Sequence, residues 1–576
     1  MRKLFPFLKD YKLQLTIGPL CKLLEAVFEL IVPLVMASII DTGVANRDTA
    51  YIYKMGGVML LLGAVGLASA LVCQKSASIA SQGSGTKLRT ALFAHINKLS
   101  FQELDKIGTP SLITRMTNDI NQLQLAVAML IRLVIRAPFL VIGAIAMSFT
   151  IHAGLAFVFV IAAVLIAAIL YLVMSRSVPF FKLVQKKLDK ISLLARENLS
   201  GSRVIRAFGK QREEQARFNT SADELAKTAV RVGKLSALLN PMTYVVTNLA
   251  IVAVVWFGAG LVDTGDMLPG EIIALVNYMT QILLAMVVVA NLVVIFTKAS
   301  ASAARINEVF ETRPSVQEPA QANTAPVLGA PKIEFRDVSF GYGGEQVLRH
   351  IDLKVQKGQT LGIIGTTGSG KSTLVNLIPR FYDVLQGEVL VDGVNVKEYP
   401  LSLLRGQCGI APQNAVLFSG TIGDNMRWAK EDATDQEIER ALSIAQAEDF
   451  VKKLPFGIDT PITQGGKNLS GGQKQRLTIA RALLRDPQIL ILDDSASALD
   501  FVTDAALRRA IRTQTKDMTV LLVSQRVSTV RGADQIAVLD DGTLAGVGSH
   551  EELFASCKPY REICLSQLSR QEVSAG

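Results

Sequence analysis

The sequence predicts a chain of two unlike parts, an all-α, six-helix transmembrane domain followed by an α/β domain built around a P-loop, the phosphate-binding loop. Three observations carry that expectation. Long apolar runs are confined to roughly the first 300 residues, each near the ~20 needed to cross a bilayer. A linker at 312–331, with Pro314, Pro319, Pro326 and Pro331, has no periodic apolar face. Beyond it, short β-branched runs at 360–364, 489–492 and 520–523 alternate with helical stretches, the pattern of a largely parallel sheet. The domains are therefore drawn at 1–311 and 332–576, joined by the linker.

Composition sets the outer bounds. Hydrophobic residues are 50% of the 576, and charged residues 19% against roughly 25% in soluble chains. Mean hydropathy is +0.34. These values exclude disorder, collagen and a disulfide scaffold, and they argue against a wholly soluble protein. The 60 Lys and Arg and 50 Asp and Glu argue equally against a bare membrane bundle. The net charge of +10 leaves nucleic acid open at first, but in a membrane chain it reads as positive cytoplasmic loops. Cys21, Cys73, Cys408, Cys557 and Cys564 form no CxxC pair and read as reduced thiols without a metal role.

The elements follow in order. Residues 1–13 alternate Leu4, Phe5, Phe7, Leu8 and Tyr11 with Arg2, Lys3, Lys9 and Lys12, an interfacial helix rather than a cleavable signal. Spans are expected at 15–40, 56–71 (extending toward 77), 126–149, 153–174, 239–262 and 271–296. The loop at 176–234 is rich in Lys and Arg, whereas 263–267 carries Asp263 and Asp266 and no base. The positive-inside rule then places both termini in the cytoplasm of a multi-pass chain in the inner (cytoplasmic) membrane. The two cytoplasmic loops are helical in pattern and turn back at Gly108-Thr109-Pro110 and at Leu199-Ser200-Gly201.

The chemistry lies in the second part. Gly365-Thr366-Thr367-Gly368-Ser369-Gly370-Lys371-Ser372 fits GxxxxGK[ST] between a strand and a helix, with Thr373 next. Its N–H groups can cradle phosphates, Lys371 can reach the β and γ phosphates, and Ser372 can hold Mg2+. The apolar strand at 489–492 ends in Asp493, the usual carboxylate partner for that Mg2+. Between them stands Leu469-Ser470-Gly471-Gly472-Gln473.

That LSGGQ, flanked by these two motifs, resembles the signature of the ATP-binding cassette (ABC) family, and the order of membrane part then cassette resembles an exporter half. The resemblance implies further roles. Tyr342 would stack adenine. Gln413 would join nucleotide, Mg2+ and membrane domain, and Asp500, in Ser497-Ala498-Leu499-Asp500, would belong to the D-loop. It also implies two coupling loops, 112–119 and 197–208, and a head-to-tail pair of cassettes in which each LSGGQ serves the other's ATP.

Two positions depart from that pattern. Asp494 stands where the family has Glu, so the catalytic carboxylate is drawn back by ~1.5 Å, and ~1 Å of misplacement can cost about 100-fold in rate. Gln525 stands at the histidine switch position; it can donate to the γ-phosphate but cannot carry charge. The expectation is a degenerate site that binds MgATP and hydrolyses it weakly. This resembles one subunit of the heterodimeric bacterial multidrug exporters, whose partner supplies the competent Glu and His.

In the membrane part, Glu25 and Glu29 share one helical face, as do Arg132 and Arg136. They line a substrate cavity with Asn277 and Gln281, pair with each other, or simply lie near the cytoplasmic edge, where helix length places Arg132. The cargo expected is a small hydrophobic or amphipathic compound, alongside membrane lipid and without nucleic acid. A lipid or peptide exporter and an ATP-gated channel or sensor are the rival readings; the absence of a regulatory insert weighs against the latter.

Overall fold

The computed structural model describes residues 2–319, 321–515 and 517–567. It divides the chain into two compact units, one of Met1–Asn97 with Pro110–Glu311, the other of Lys98–Thr109 with Thr312–Gly576.

The first unit is helical and contains six helices long and apolar enough to cross a membrane: α1 (Phe5–Val44), α2 (Thr49–Ile96), α3 (Thr109–Ile151), α4 (Ala153–Ser200), α5 (Gln211–Asp263) and α6 (Pro269–Glu311). All six predicted spans fall within them. At 40 to 53 residues they far exceed the ~20 a bilayer needs, so each carries a polar extension. The N-terminal stretch expected as an interfacial helix is a 3-10 helix, Arg2–Tyr11, which admits Pro6 and runs directly into Lys12–Ser38. The expected turns are present. Gly108, at φ 80, separates a short helix Phe101–Ile107 from α3, and Gly201 separates α4 from another, Ser202–Ala207.

Pro33 lies inside α1 and lacks the N–H that would bond the carbonyl of Glu29. The Gln281 side chain on α6 supplies the missing donor at 3.2 Å, and Tyr278 O–H donates to the next carbonyl, Leu30, at 2.6 Å. In hydrocarbon an orphan carbonyl costs several kcal/mol, about what a kinked span must recover from neighbouring helices. The core around this join combines the small Ala26 and Ala144, which let the helices approach closely, with Leu30, Phe159, Val254, Leu275 and Ile282, which fill the space between them.

Among the described residues the second unit holds twelve strands: β1 (Ile333–Tyr342), β2 (Glu345–Val355), β3 (Thr360–Gly365), β4 (Gln386–Val391), β5 (Val394–Asn395), β6 (Cys408–Ala411), β7 (Gly420–Thr421), β8 (Pro461–Ile462), β9 (Ile489–Asp493), β10 (Thr519–Val523), β11 (Gln535–Asp540) and β12 (Thr543–Gly548). The central sheet runs β12-β11-β3-β10-β9-β6, and only its β12 edge pairs antiparallel. A four-stranded antiparallel sheet, β2-β1-β4-β5, packs beside it, and β7 pairs with β8. Strand alternation sends Ile363, Ile491 and Leu521 into one core and Leu490, Leu492, Val520 and Leu522 into the other, so both faces of the sheet are covered. Four helices matter below: α7 (Lys371–Asn376), α8 (Gly471–Leu484), α9 (Phe501–Gln514) and α10 (Lys558–Gln567).

Residues 98–109 belong to this second unit. Phe101 packs on Phe381 with ring centroids 4.6 Å apart, Tyr382 donates to Asp105 at 2.9 Å, and Val316 N–H donates to Ser100 Oγ at 3.0 Å. The stretch expected as the first coupling loop, 112–119, instead packs within the first unit. Asp119 is fully buried and accepts from Ser302 Oγ at 2.9 Å and Arg305 Nε at 2.8 Å on α6. Arg115 donates to the Arg305 carbonyl at 2.8 Å and pairs with Glu308.

Candidate functional site

The phosphate loop leaves β3 at Gly365 and enters α7 at Lys371. Gly368 and Gly370 stand at φ 85 and 94, a left-handed backbone that side-chain-bearing residues rarely adopt and that turns successive N–H groups toward one concavity. Lys371 is folded over the loop. Its Nζ donates to the carbonyls of Gly365 at 2.9 Å and Thr366 at 2.6 Å, and lies 3.4 Å from Ser369 Oγ. Burial pushes the Lys371 ammonium below its ordinary range, and Asp494 and Asp493 oppose that shift. A desolvated cation held at close range by neutral oxygens favours a phosphate over its present partners.

Parallel pairing of β10 with both β3 and β9 brings two distant motifs together. Ser372 Oγ donates to Asp493 Oδ1 at 2.8 Å, across 121 residues of sequence. Burial holds the Asp493 carboxyl above its ordinary range, with Ser372 and Lys371 acting against it. A hydroxyl and a carboxylate at one point are the hard oxygen donors that suit Mg2+, and the residues present therefore fit a Mg2+–nucleotide.

Asp494 follows at φ 45, tied by its N–H to Val523 O at 2.9 Å, and its carbonyl accepts from Ser497 Oγ at 2.7 Å. Its carboxylate meets Gln413 Nε2 at 3.4 Å, long for a hydrogen bond. Burial raises its pKa; Lys371 and Arg526 lower it. The structure thus brings Gln413 to Asp494. Gln525 Oε1 accepts from Thr367 Oγ1 at 3.3 Å, which sets the switch position against the phosphate loop. Tyr342 is 41% exposed and held edge-on by Phe340 at 4.9 Å and Tyr382 at 5.3 Å, its hydroxyl 3.4 Å from Thr373 Oγ1. A flat ring held this way offers a stacking surface.

The LSGGQ stretch opens α8. Leu469 is buried, Ser470 is the N-cap, and Gly471, Gly472 and Gln473 form the first turn. Ser470 N–H donates to Gln473 Oε1 at 2.8 Å and Gln473 N–H returns a bond to Ser470 Oγ at 3.3 Å, a capping box. Asp500 caps α9 by accepting from Thr503 N–H at 3.2 Å, and the Thr503 side chain together with that N–H holds its carboxyl below the ordinary range.

Sequence reasoning missed the contacts of three side chains here. Gln475 Nε2 donates to Pro412 O at 3.1 Å, joining α8 to the Gln413 loop. Arg526 spans to the D-loop carbonyls of Ser497 at 3.1 Å and Leu499 at 3.3 Å. Gln567 reaches the switch from α10. All three join side chain to backbone, and such contacts leave no pattern in sequence.

In the membrane unit, Arg136 pairs with Glu29 at 2.7 Å and Lys22 with Glu25 at 2.6 Å. Asn277 bonds back to Ile273 O at 3.0 Å on its own helix. Gln281 caps the Glu29 carbonyl, and Arg132 lies on α3 one turn from Arg136.

Comparison with known proteins supplies the wider setting. Residues 15–286 match the family described as "ABC transporter transmembrane region", and residues 348–497 match "ABC transporter". An uncharacterized ABC transporter ATP-binding protein of Mycobacterium bovis is 38% identical over 97% of each chain. An ATP-dependent lipid A-core flippase of Desulfotalea psychrophila is 34% identical over 81% of each. The solved structure of a bacterial Atm1-family ABC exporter with ATP bound superposes with a TM-score of 0.80, at 25% identity over 97% of this chain and 99% of that one.

Proposed function

The chain belongs to the ABC transporter family, with transmembrane and ATP-binding regions fused as in an exporter half, and from that premise we propose that it exports hydrophobic or amphipathic compounds as one half of a heterodimer. Membership makes it a multi-pass membrane protein whose activity is transport coupled to ATP. The inner membrane, with both termini cytoplasmic, is the placement that the loop charges support.

In this reading the phosphate-loop N–H groups and Lys371 hold the phosphates, Tyr342 stacks the adenine, and Ser372, Asp493 and Gln413 hold Mg2+, which neutralises phosphate charge when bound. Asp494 positions the attacking water poorly, and Gln525 donates to the γ-phosphate without charge. Leu469–Gln473 and Asp500 serve the site of the second chain, a half-transporter with a competent Glu and His. One observation carries the unequal-pair reading: Ser372 and Asp493 are intact and in contact at 2.8 Å, while the neighbouring carboxylate makes only a 3.4 Å contact with Gln413.

For the cargo, a second reading has its own support. The Desulfotalea psychrophila relative is named for flipping lipid A-core, and a lipid is itself amphipathic. The test is ATPase activity and efflux in membrane vesicles, with the chain alone and co-expressed with a second half-transporter of the same genome. The expectation is weak activity alone and strong, substrate-stimulated activity together. Equal activity in both preparations rules out the heterodimer. Efflux of dye against flipping of labelled lipid decides the cargo.

A further inference from the structure

The switch loop is held from behind by the last described residue of the chain. Gln567, at the end of α10, donates from Nε2 to the Gln525 carbonyl at 2.7 Å and accepts the Val527 N–H on Oε1 at 2.9 Å. Both ends of one carboxamide thus engage the backbone on either side of Arg526, as a neighbouring strand would. The rest of this stretch is fixed elsewhere: Ser524 N–H donates to Ile363 O at 3.0 Å, and Arg526 N–H to Ser524 Oγ at 3.0 Å. The carbonyl of Gln525 is therefore held from α10.

The helix that carries Gln567 is itself seated behind the site. Tyr560 and Cys564 are fully buried in one cluster with Val527, Val530 and Ile364, the residue before Gly365. The helix α10 thus packs against both the strand that leads into the phosphate loop and the turn that follows Arg526. Gln567 lies at the exposed end, so its two bonds are its attachment to the loop.

We propose that Gln567 is a positioning residue for the nucleotide site: it fixes the backbone from which Gln525 faces the γ-phosphate, and so sets the preference for ATP over ADP. The proposal rests on the reading of Gln525 as the γ-phosphate contact. A residue acting through Gln525 affects only the ligand that has a γ-phosphate, and its effect vanishes once Gln525 is gone.

The experiment uses the full chain in lipid nanodiscs with Mg2+ and the trinitrophenyl derivatives of ATP and ADP as fluorescent probes. Gln567→Ala is expected to lower the ATP-over-ADP preference about 5- to 10-fold, the scale of one to two net hydrogen bonds, with ADP affinity within twofold of wild type. Gln567→Asn, one methylene short of both backbone groups, is expected to behave alike, and Gln567→Glu, which keeps only the acceptor, to fall between. Gln525→Ala is expected to reproduce the loss, and the double variant Gln525→Ala/Gln567→Ala to add nothing to it. Equal weakening of ATP and ADP by Gln567→Ala, or additive losses in the double variant, overturns the proposal and leaves Gln567 a structural tie. An unchanged preference in Gln525→Ala overturns the underlying reading of the switch position as well, which separates the two failures.

Discussion

Lengthening one side chain is the sharpest test of the unequal-pair reading. Asp494→Glu adds a C–C bond of ~1.5 Å to a carboxylate that now lies 3.4 Å from Gln413 Nε2. A reacting group misplaced by ~1 Å costs about 100-fold, or ~2.7 kcal/mol of barrier. Restoring the reach is thus expected to raise ATP hydrolysis at the Lys371 site by roughly 10- to 100-fold, with Gln525→His adding to it. The substitution has an opposing cost. Position 494 sits at φ 45, where Asp is better tolerated than Glu, so stability should fall by about 1 kcal/mol. That loss lowers the melting temperature and leaves the rate per folded molecule intact. The assay is phosphate release by the purified chain, normalised to the fraction that binds a non-hydrolysable ATP analogue. Unchanged hydrolysis in Asp494→Glu with normal analogue binding refutes the geometric argument. So does rapid hydrolysis by the unaltered chain that Asp494→Asn abolishes.

Three further outcomes follow from the same contacts. Burial holds Asp493 and Asp494 above the ordinary 3.8, so between 3.8 and their folded values the folded chain binds more protons than the unfolded one. Nucleotide-free stability therefore falls as pH rises through that window, while Mg2+-dependent nucleotide binding weakens as pH falls through it; melting and binding titrations from pH 3.5 to 7 check both signs. Asp119→Ala should destabilise the membrane unit by about 2 kcal/mol, below the ~3–5 of a fully buried pair because the Arg305 side chain is 48% exposed, and detergent thermal melts read the loss. Arg136→Met should lower stability by ~1–2 kcal/mol with Glu29→Gln restoring at least half of it; an unaltered melt with lost efflux would instead assign Glu29 and Arg136 to the substrate path.

What could be read in the sequence divides along physical lines. The phosphate loop, the LSGGQ helix start and the six spans were legible because each is a local pattern: a turn, a cap, a hydrophobic length. The shared Mg2+ role of Ser372 and Asp493 is legible from the phosphate-loop motif and the carboxylate at a strand end, whereas their direct contact depends on β10 lying between β3 and β9. Glu29 and Arg136 left two readings open, for helical spacing shows that two charges share a face and says nothing of which helix faces them. The resemblance implies a first coupling loop at 112–119; that stretch is bound to α6, while residues 98–109 belong to the second unit, a division set by contacts distant in sequence that leave no local pattern. Gln567 was invisible because a carboxamide bonding two backbone groups imposes no spacing on its neighbours.

The ownership of residues 98–109 has a consequence for how the chain is made. These residues leave the ribosome early, yet their structural partners, Val316, Phe381 and Tyr382, lie more than two hundred residues later. At ~5–20 residues per second, the roughly 270 residues from Thr109 to Tyr382 take on the order of 15–55 s to synthesise. For that interval the connection between α2 and α3 carries a Phe101 without its aromatic partner. Insertion of α2 and α3 can therefore run ahead of folding of the second unit, and a ribosome stalled between α3 and Phe381 leaves Phe101 without the ring it packs on.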